Sequence, residues 1–162
     1  MGEKNYLASV RKQYEEYPFP LIDPNDDKWR LQVTPQDMLD KINHYCFAGK
    51  RDFSKGFRAL VAGGGTGHAV TFLAEQLRDI GGEVVYLDLS MASQNIAKQR
   101  AQIRGLNNIT WIQGSILDLP SMNIGLFDYI NCVGVLHHLE NPDEGLNALC
   151  QVLQPNGAMS LM

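Results

Sequence analysis

The stretch LVAGGGTGHAV, residues 60–70, sets Gly63, Gly64, Gly65 and Gly67 between an apolar run and a helix-like run. Glycine accepts left-handed backbone and leaves the space of a side chain free for a neighbour. The helix that begins near His68 would aim its free N–H groups and positive dipole end at whatever lies above the loop, favouring an anionic group. A tight turn with close strand–helix packing needs about one glycine, whereas four within five positions exceed that need. The loop is therefore expected to cradle a ligand against bare backbone.

The residues around the loop set a repeating rhythm. FRALVA reads as a strand, HAVTFLAEQLRDI as a helix ending at Gly81 and Gly82, EVVYLDL as a strand, and SQNIAKQRAQIRG as a helix stopped by Gly105. ITWIQG and LFDYINCVGV read as two further strands. NPDEGLNALCQVL is a helix with Asn141 as its cap and Glu144 at the capping-box position. QPNG reads as a turn, and AMSLM as the start of another strand. Alternating strands and helices imply right-handed crossovers and a parallel sheet covered on both faces. The Val-, Leu- and Ile-rich strands suit such a doubly covered sheet. Ligands in these folds bind at the carboxyl ends of the strands, beside the first strand, where the glycine loop lies. The chain stops inside its last strand. That predicts a fragment of a longer protein, with an open sheet edge available for self-association.

Residues 1–56 differ in texture. KNYLASVRKQYEEY predicts a helix with Tyr6, Val10, Tyr14 and Tyr17 on one stripe. PFPLIDP must run extended. TPQDMLDKINHYCF predicts a second helix, with Thr34 as N-cap and Pro35 in its first turn.

Composition narrows the function. The 162 residues carry a formal net charge of −4 and no basic block, so nothing points to nucleic acid or a membrane surface. No apolar run approaches the roughly 20 residues of a membrane span. Cys46, Cys132 and Cys150 are odd in number and widely spaced, which predicts reduced, mostly buried thiols of a cytoplasmic protein. The start of the chain lacks a signal-peptide pattern. No metal-ligand spacing stands out.

A dinucleotide loop follows G-x-G-x-x-G. Read from Gly63, that pattern meets His68 where glycine is required; read from Ala62, it needs alanine for the first glycine. G-x-G-x-G fits without substitution at Gly63, Gly65 and Gly67. Asp88 ends the second strand, about twenty residues after the loop. A carboxylate there can accept both ribose hydroxyls of an adenosine, or it can cap the helix of residues 91–104, as Ser90 also can.

FDYINCVGVLHHLENPDEGLNALCQVLQPNGAMSLM resembles the fourth-strand region of class I S-adenosylmethionine (SAM)-dependent methyltransferases. Together with LVAGGGTGH, YLDLS and WIQGSILDLP, its order and spacing are similar to that family over residues 57–162. VRKQYEEYPFP looks like the N-terminal extension of some bacterial members. The resemblance implies a Rossmann-like doubly wound parallel sheet with helices on both faces, its late strands missing. It divides the chain into an N-terminal helical extension or lid, 1–56, and a SAM-binding core, 57–162.

The resemblance also implies site residues. Gly63, Gly64, Gly65 and Gly67 would flank the methionine part and adenosine of SAM. Asp88 would hold the ribose and Leu89 would pack on adenine. Ser115 and Ile116 would lie at the adenine edge, and Cys132 and Gly134 would offer backbone carbonyls to the methionine amine. Tyr14 or Tyr17 would close the site. His137 and His138 are the candidate general bases, expected to face different ways. Two positions depart from the pattern: Val61 and Ser115 stand where acidic residues are common, so the amine needs other acceptors. NCVGV replaces the (D/N/S)-P-P-(Y/F) run of amino-methylating enzymes, and VLHHL resembles enzymes with small-molecule acceptors. The implied activity is methyl transfer from SAM to such an acceptor. Two alternatives stand beside it, an NAD-dependent oxidoreductase domain and a non-catalytic SAM-fold binding module.

Overall fold

The computed structural model describes residues 5–162. Five strands form one parallel sheet: β1 (Arg58–Ala62), β2 (Glu83–Asp88), β3 (Ile109–Gln113), β4 (Phe127–Cys132) and β5 (Leu153–Leu161), in the spatial order β3-β2-β1-β4-β5. The order reverses at β1, so a crevice opens between the ends of β1 and β4, as expected at a topological switch point. Five α-helices accompany the strands: α1 (Asn5–Glu16), α2 (Leu39–Phe47), α3 (His68–Leu77), α4 (Met91–Ile103) and α5 (Pro142–Gln151). This is the expected Rossmann-like α/β architecture.

The three central strands are buried almost throughout, because both faces are covered. On one face, Ala59, Val61, Val84 and Tyr86 pack with Val70, Leu73 and Leu77 of α3 and Ala97 of α4. On the other, Leu60, Ala62, Val85 and Leu87 pack with Leu149 of α5 and with Ile116 and Leu119 of the short turn after β3. The outer strands β3 and β5 are only partly covered.

Three local expectations change. Pro35–Asp37 forms a separate 3-10 turn, Met38 returns to extended backbone, and Thr34 makes no side-chain cap. The reason is tertiary: Asp37 is drawn wholly into the core, and the Leu39 N–H is capped by Gln76 Oε1 at 3.0 Å from α3. The QPNG segment is not a turn before β5 but a bulge within it. Leu153 sits opposite Phe127 and Ala158 opposite Tyr129, so the strand absorbs the extra residues without leaving the sheet. Among the cysteines only Cys132 is buried; Cys46 and Cys150 are exposed on helices α2 and α5, and all three are free thiols. Asn141 caps α5 as expected, accepting from the Asp143 N–H.

The N-terminal segment is bonded to the sheet by buried polar groups. Arg100 of α4 is fully buried. Its guanidinium meets Asp27 and donates to the Thr66 carbonyl at 2.9 Å. Thr66 in turn donates its hydroxyl to the Pro20 carbonyl at 2.8 Å. Breaking a buried ion pair from one side leaves an uncompensated charge, which costs about 3–5 kcal/mol. Arg100→Met is therefore expected to lower unfolding free energy by about that amount in urea titrations, and adding Asp27→Leu should restore part of it. Purely additive losses in the double variant would show that the two side chains are not coupled.

Candidate functional site

A cavity of 640 Å³ lies over the carboxyl ends of β1, β2 and β4. Sequence and tertiary structure meet there at the glycine loop. Gly63, Gly65 and Gly67 have φ of +77°, +50° and +98°, which glycine alone adopts readily. The amides of Gly63 and Gly64 both donate to the Leu87 carbonyl, folding the loop back onto the end of β2. The close approach that the glycines permit is made by the protein itself. A Cβ at Gly63 would lie 2.2 Å from Val135 Cγ2, one at Gly64 2.3 Å from the Tyr86 ring, and one at Gly65 2.8 Å from the Phe19 carbonyl. The packing explanation thus accounts for each of these glycines, and it does so with three different neighbours.

Gly63, Gly64 and Gly65 still line the cavity with their backbone. Gly67 does not; it starts α3 and sits against Ala97 of α4. Asp88 and Leu89 line the cavity, as do Ser115, Ile116, Gly134, Tyr14, His137 and His138. Cys132 lies behind the wall, fully buried, and its carbonyl accepts from the Met162 N–H. Burial pushes its thiol up to about 12. Tyr17 is exposed beyond the end of α1, whereas Val10 and Tyr14 face the cavity. The side chain of Tyr6 lies outside the described residues.

Asp88 is positioned by backbone. One carboxylate oxygen accepts from the Gly65 N–H and the other from the Ser90 N–H, each at 2.8 Å. Burial raises its carboxyl above the ordinary range, and these amide hydrogen bonds oppose that rise. The capping role falls to Ser90, whose Oγ accepts from the Ser93 N–H. Asp88 is therefore left facing the cavity with lone pairs to offer. Ser115 accepts from the Leu117 N–H with its hydroxyl oxygen, starting the turn that places Ile116 on the wall.

The roof is α1. Glu15 accepts from the first-turn amides of α4, Met91 at 2.6 Å and Ala92 at 3.1 Å, and Ser90 donates its hydroxyl to the Tyr14 carbonyl. From that anchor Tyr14 reaches across to His138, hydroxyl to Nε2 at 3.0 Å. The two histidines do not diverge: their rings lie 4.2 Å apart, both on the cavity. The tight 3-10 turn Leu136–His138 brings them to one side. The cavity wall also contains polar residues that sequence reasoning missed. Asn131, beside Val61 in the next strand, and Gln36 line it, and Asp37 stands behind Asn131. The signal available was an uncharged polar residue, Asn131, among the apolar residues that end β4.

Residues 60–159 match the family model for the methyltransferase domain. The chain belongs to this methyltransferase family. It is 31% identical over 137 residues to the mitochondrial ubiquinone biosynthesis O-methyltransferase of Schizosaccharomyces pombe, covering 81% of this chain and 44% of that protein. It is 35% identical over 106 residues to the tRNA 5-carboxymethoxyuridine methyltransferase of Escherichia coli, covering 65% of this chain and 39% of that one. The chain thus spans less than half the length of these relatives. Among solved structures, PKMT2 of Rickettsia typhi in complex with AdoHcy superposes with a TM-score of 0.62 at 28% identity, covering 80% of this chain and 24% of that one.

Burial and the neighbouring His137 hold the His138 imidazole below its ordinary value of 6.5. The fold therefore favours neutral His138, and the unfolded chain binds the proton first. Stability from this site is present above pH 6.5 and is lost as the pH falls through 6.5 toward the folded value. The His138 ring should titrate below 6.5 by NMR. The drop in Tm between neutral and mildly acidic pH should be smaller in His138→Gln than in the parent; an unchanged drop would assign it elsewhere, His68 being shifted in the same direction.

Proposed function

We propose that the cavity binds SAM and that the protein transfers its methyl group to a small-molecule acceptor. The observation that carries this reading is Asp88. It is a carboxylate at the end of β2, held by two loop amides, facing a cavity roofed by an aromatic residue within a methyltransferase domain. The residues suit such a ligand chemically. Asp88 can accept from ribose hydroxyls, Leu89 and Ile116 offer apolar surface to a base, and Ser115 can meet its polar edge. Gly63, Gly65 and Gly134 offer backbone to the remainder. Gly67 acts at one remove by starting α3, and Cys132 by holding the β4–β5 edge that carries Gly134.

SAM supplies a methyl group already activated on a sulfonium, so the protein's tasks are alignment and exclusion of water. Residues 5–56 act as the lid. Tyr14 closes the cavity from above, and Phe19 and Pro20 pack along the glycine loop. His137 and His138 line the cavity, and in this reading one of them takes the proton that a hydroxyl acceptor loses. The name of the S. pombe relative supports an acceptor of this kind, and that of the E. coli relative supplies the competing class.

Calorimetric titration should show SAM and its demethylated product binding, with NAD failing to bind. Asp88→Ala should weaken SAM binding by about 10- to 100-fold, the effect of charge-assisted hydrogen bonds lost from a site. Asp88→Asn, which keeps one acceptor, should fall between. Tight NAD binding without SAM binding would point to the oxidoreductase class. Binding of neither, with Asp88→Ala silent, would point to a non-catalytic module. Labelled methyl transfer to phenolic small molecules, compared with unmodified tRNA, separates the acceptor classes.

A further inference from the structure

Asp37 is a fully buried carboxylate. It accepts from Tyr129 Oη at 2.8 Å and from Asn131 Nδ2 at 2.8 and 3.0 Å to its two oxygens. Among the described residues no lysine or arginine pairs with it, in contrast to Asp27, which has Arg100. Burial pushes its carboxyl upward against hydrogen bonds that favour the charged form. Keeping a buried carboxyl charged without a cation is costly, so positive charge brought into a space beside it stabilises the charged form.

That space is the β4 end of the cavity, lined by Thr34, Gln36, Val61, Asn131 and Val133. None of these five carries a charge. Asn131 connects the anion to the cavity. Its Nδ2 faces the carboxylate, which fixes the orientation of the amide, and Oδ1 is then its remaining polar atom. A hydrogen bond to a carboxylate polarises the amide and strengthens Oδ1 as an acceptor. Asn131 also lies beside Val61 in the β1–β4 register, on the same face of the sheet. Asp88 stands on β2, on the other side of β1. Two strand spacings put the polar ends about 10 Å apart across the sheet. That separation is comparable to the reach of a nucleoside bearing an amino-acid chain.

We propose that Asn131, oriented and polarised by Asp37, is a cation-binding subsite that holds the α-ammonium group of SAM. The proposal rests on the SAM reading above and extends it. The missing acceptor at Val61 is supplied from the neighbouring strand, and its charge comes from the N-terminal segment. Asn131 is the contact, and Asp37 is a positioning residue acting through it.

The test compares three probes on the intact chain by calorimetry: S-adenosylhomocysteine, its analogue lacking the α-amine, and 5′-methylthioadenosine, which lacks the amino-acid part. In the unaltered protein, loss of the α-amine should weaken binding at least about tenfold, since a charge-assisted contact is removed. Asp37→Asn and Asn131→Ala should weaken S-adenosylhomocysteine by a similar factor and leave 5′-methylthioadenosine unchanged. Equal affinity of the amine and desamino ligands overturns the proposal, and that measurement needs no variant to fold. Parallel loss of all three probes in both variants would assign Asp37 a purely structural role and also overturn it. If the unaltered protein binds none of the three, it is the SAM reading that fails.

Discussion

The buried guanidinium of Arg100 is the constraint on which the cavity depends. An arginine presents five donors in a rigid fork and keeps its charge at any accessible pH, so a site that buries it must surround it with acceptors. Here they are the Asp27 carboxylate and the Thr66 carbonyl. One comes from the N-terminal segment and the other from the glycine loop. The guanidinium thus holds together two parts of the chain that have no covalent reason to meet. Arg104, one turn on, repeats the tie by donating to the Asp27 carbonyl. With the loop held by Arg100, Thr66 can reach Pro20, and the Phe19 carbonyl settles over Gly65. The position of the N-terminal segment follows from charge burial in α4.

The cavity so formed is bracketed by two carboxylates held in different ways. Asp88 is held by backbone amides at the end of β2 and faces the cavity directly. Asp37 is held by side chains and stays behind Asn131. Burial raises both carboxyls, so each is stabilised further by a ligand that donates hydrogen bonds or brings positive charge. An anionic ligand would face this field at both ends. The positive end of α3 opposes it only locally, since a helix dipole acts within its first turn. A ligand with hydroxyl donors at one end and an ammonium at the other matches that field, whereas a pyrophosphate does not.

The features legible in the sequence are those set by neighbours along the chain. The strand–helix rhythm, the glycine loop, Ser90 or Asp88 as the cap of α4, and Asn141 as the cap of α5 all depend on contacts within a few residues. Asp88 was legible because its position follows from strand length and the preceding loop. What escaped reading depends on long-range partners. Asp37 and Asn131 are 94 residues apart in the chain, and nothing near either announces the other. The same pull on Asp37 breaks the helix that Thr34 and Pro35 would otherwise start. Arg100 reads locally as one more charge on a helix of mixed polarity; only the fold reveals that it faces inward. The β5 bulge escaped because Pro and Asn signal a turn, and only pairing with β4 shows that the strand resumes in register.

The glycine loop is shaped first by its protein neighbours. The density of glycines suggests a ligand pressed against bare backbone. Yet the space of each missing side chain at Gly63, Gly64 and Gly65 is taken by Val135, Tyr86 or Phe19. Those neighbours are not incidental. Val135 follows β4, Tyr86 lies in β2 and donates its hydroxyl to the Gly65 carbonyl, and Phe19 belongs to the N-terminal segment. The glycines let three separate elements converge on one loop, and their convergence encloses the cavity. A side chain at any of the three would displace a wall before it met a ligand. The loop's composition is therefore a requirement of enclosure, and the specificity of the site lies in the polar groups that the enclosed walls present.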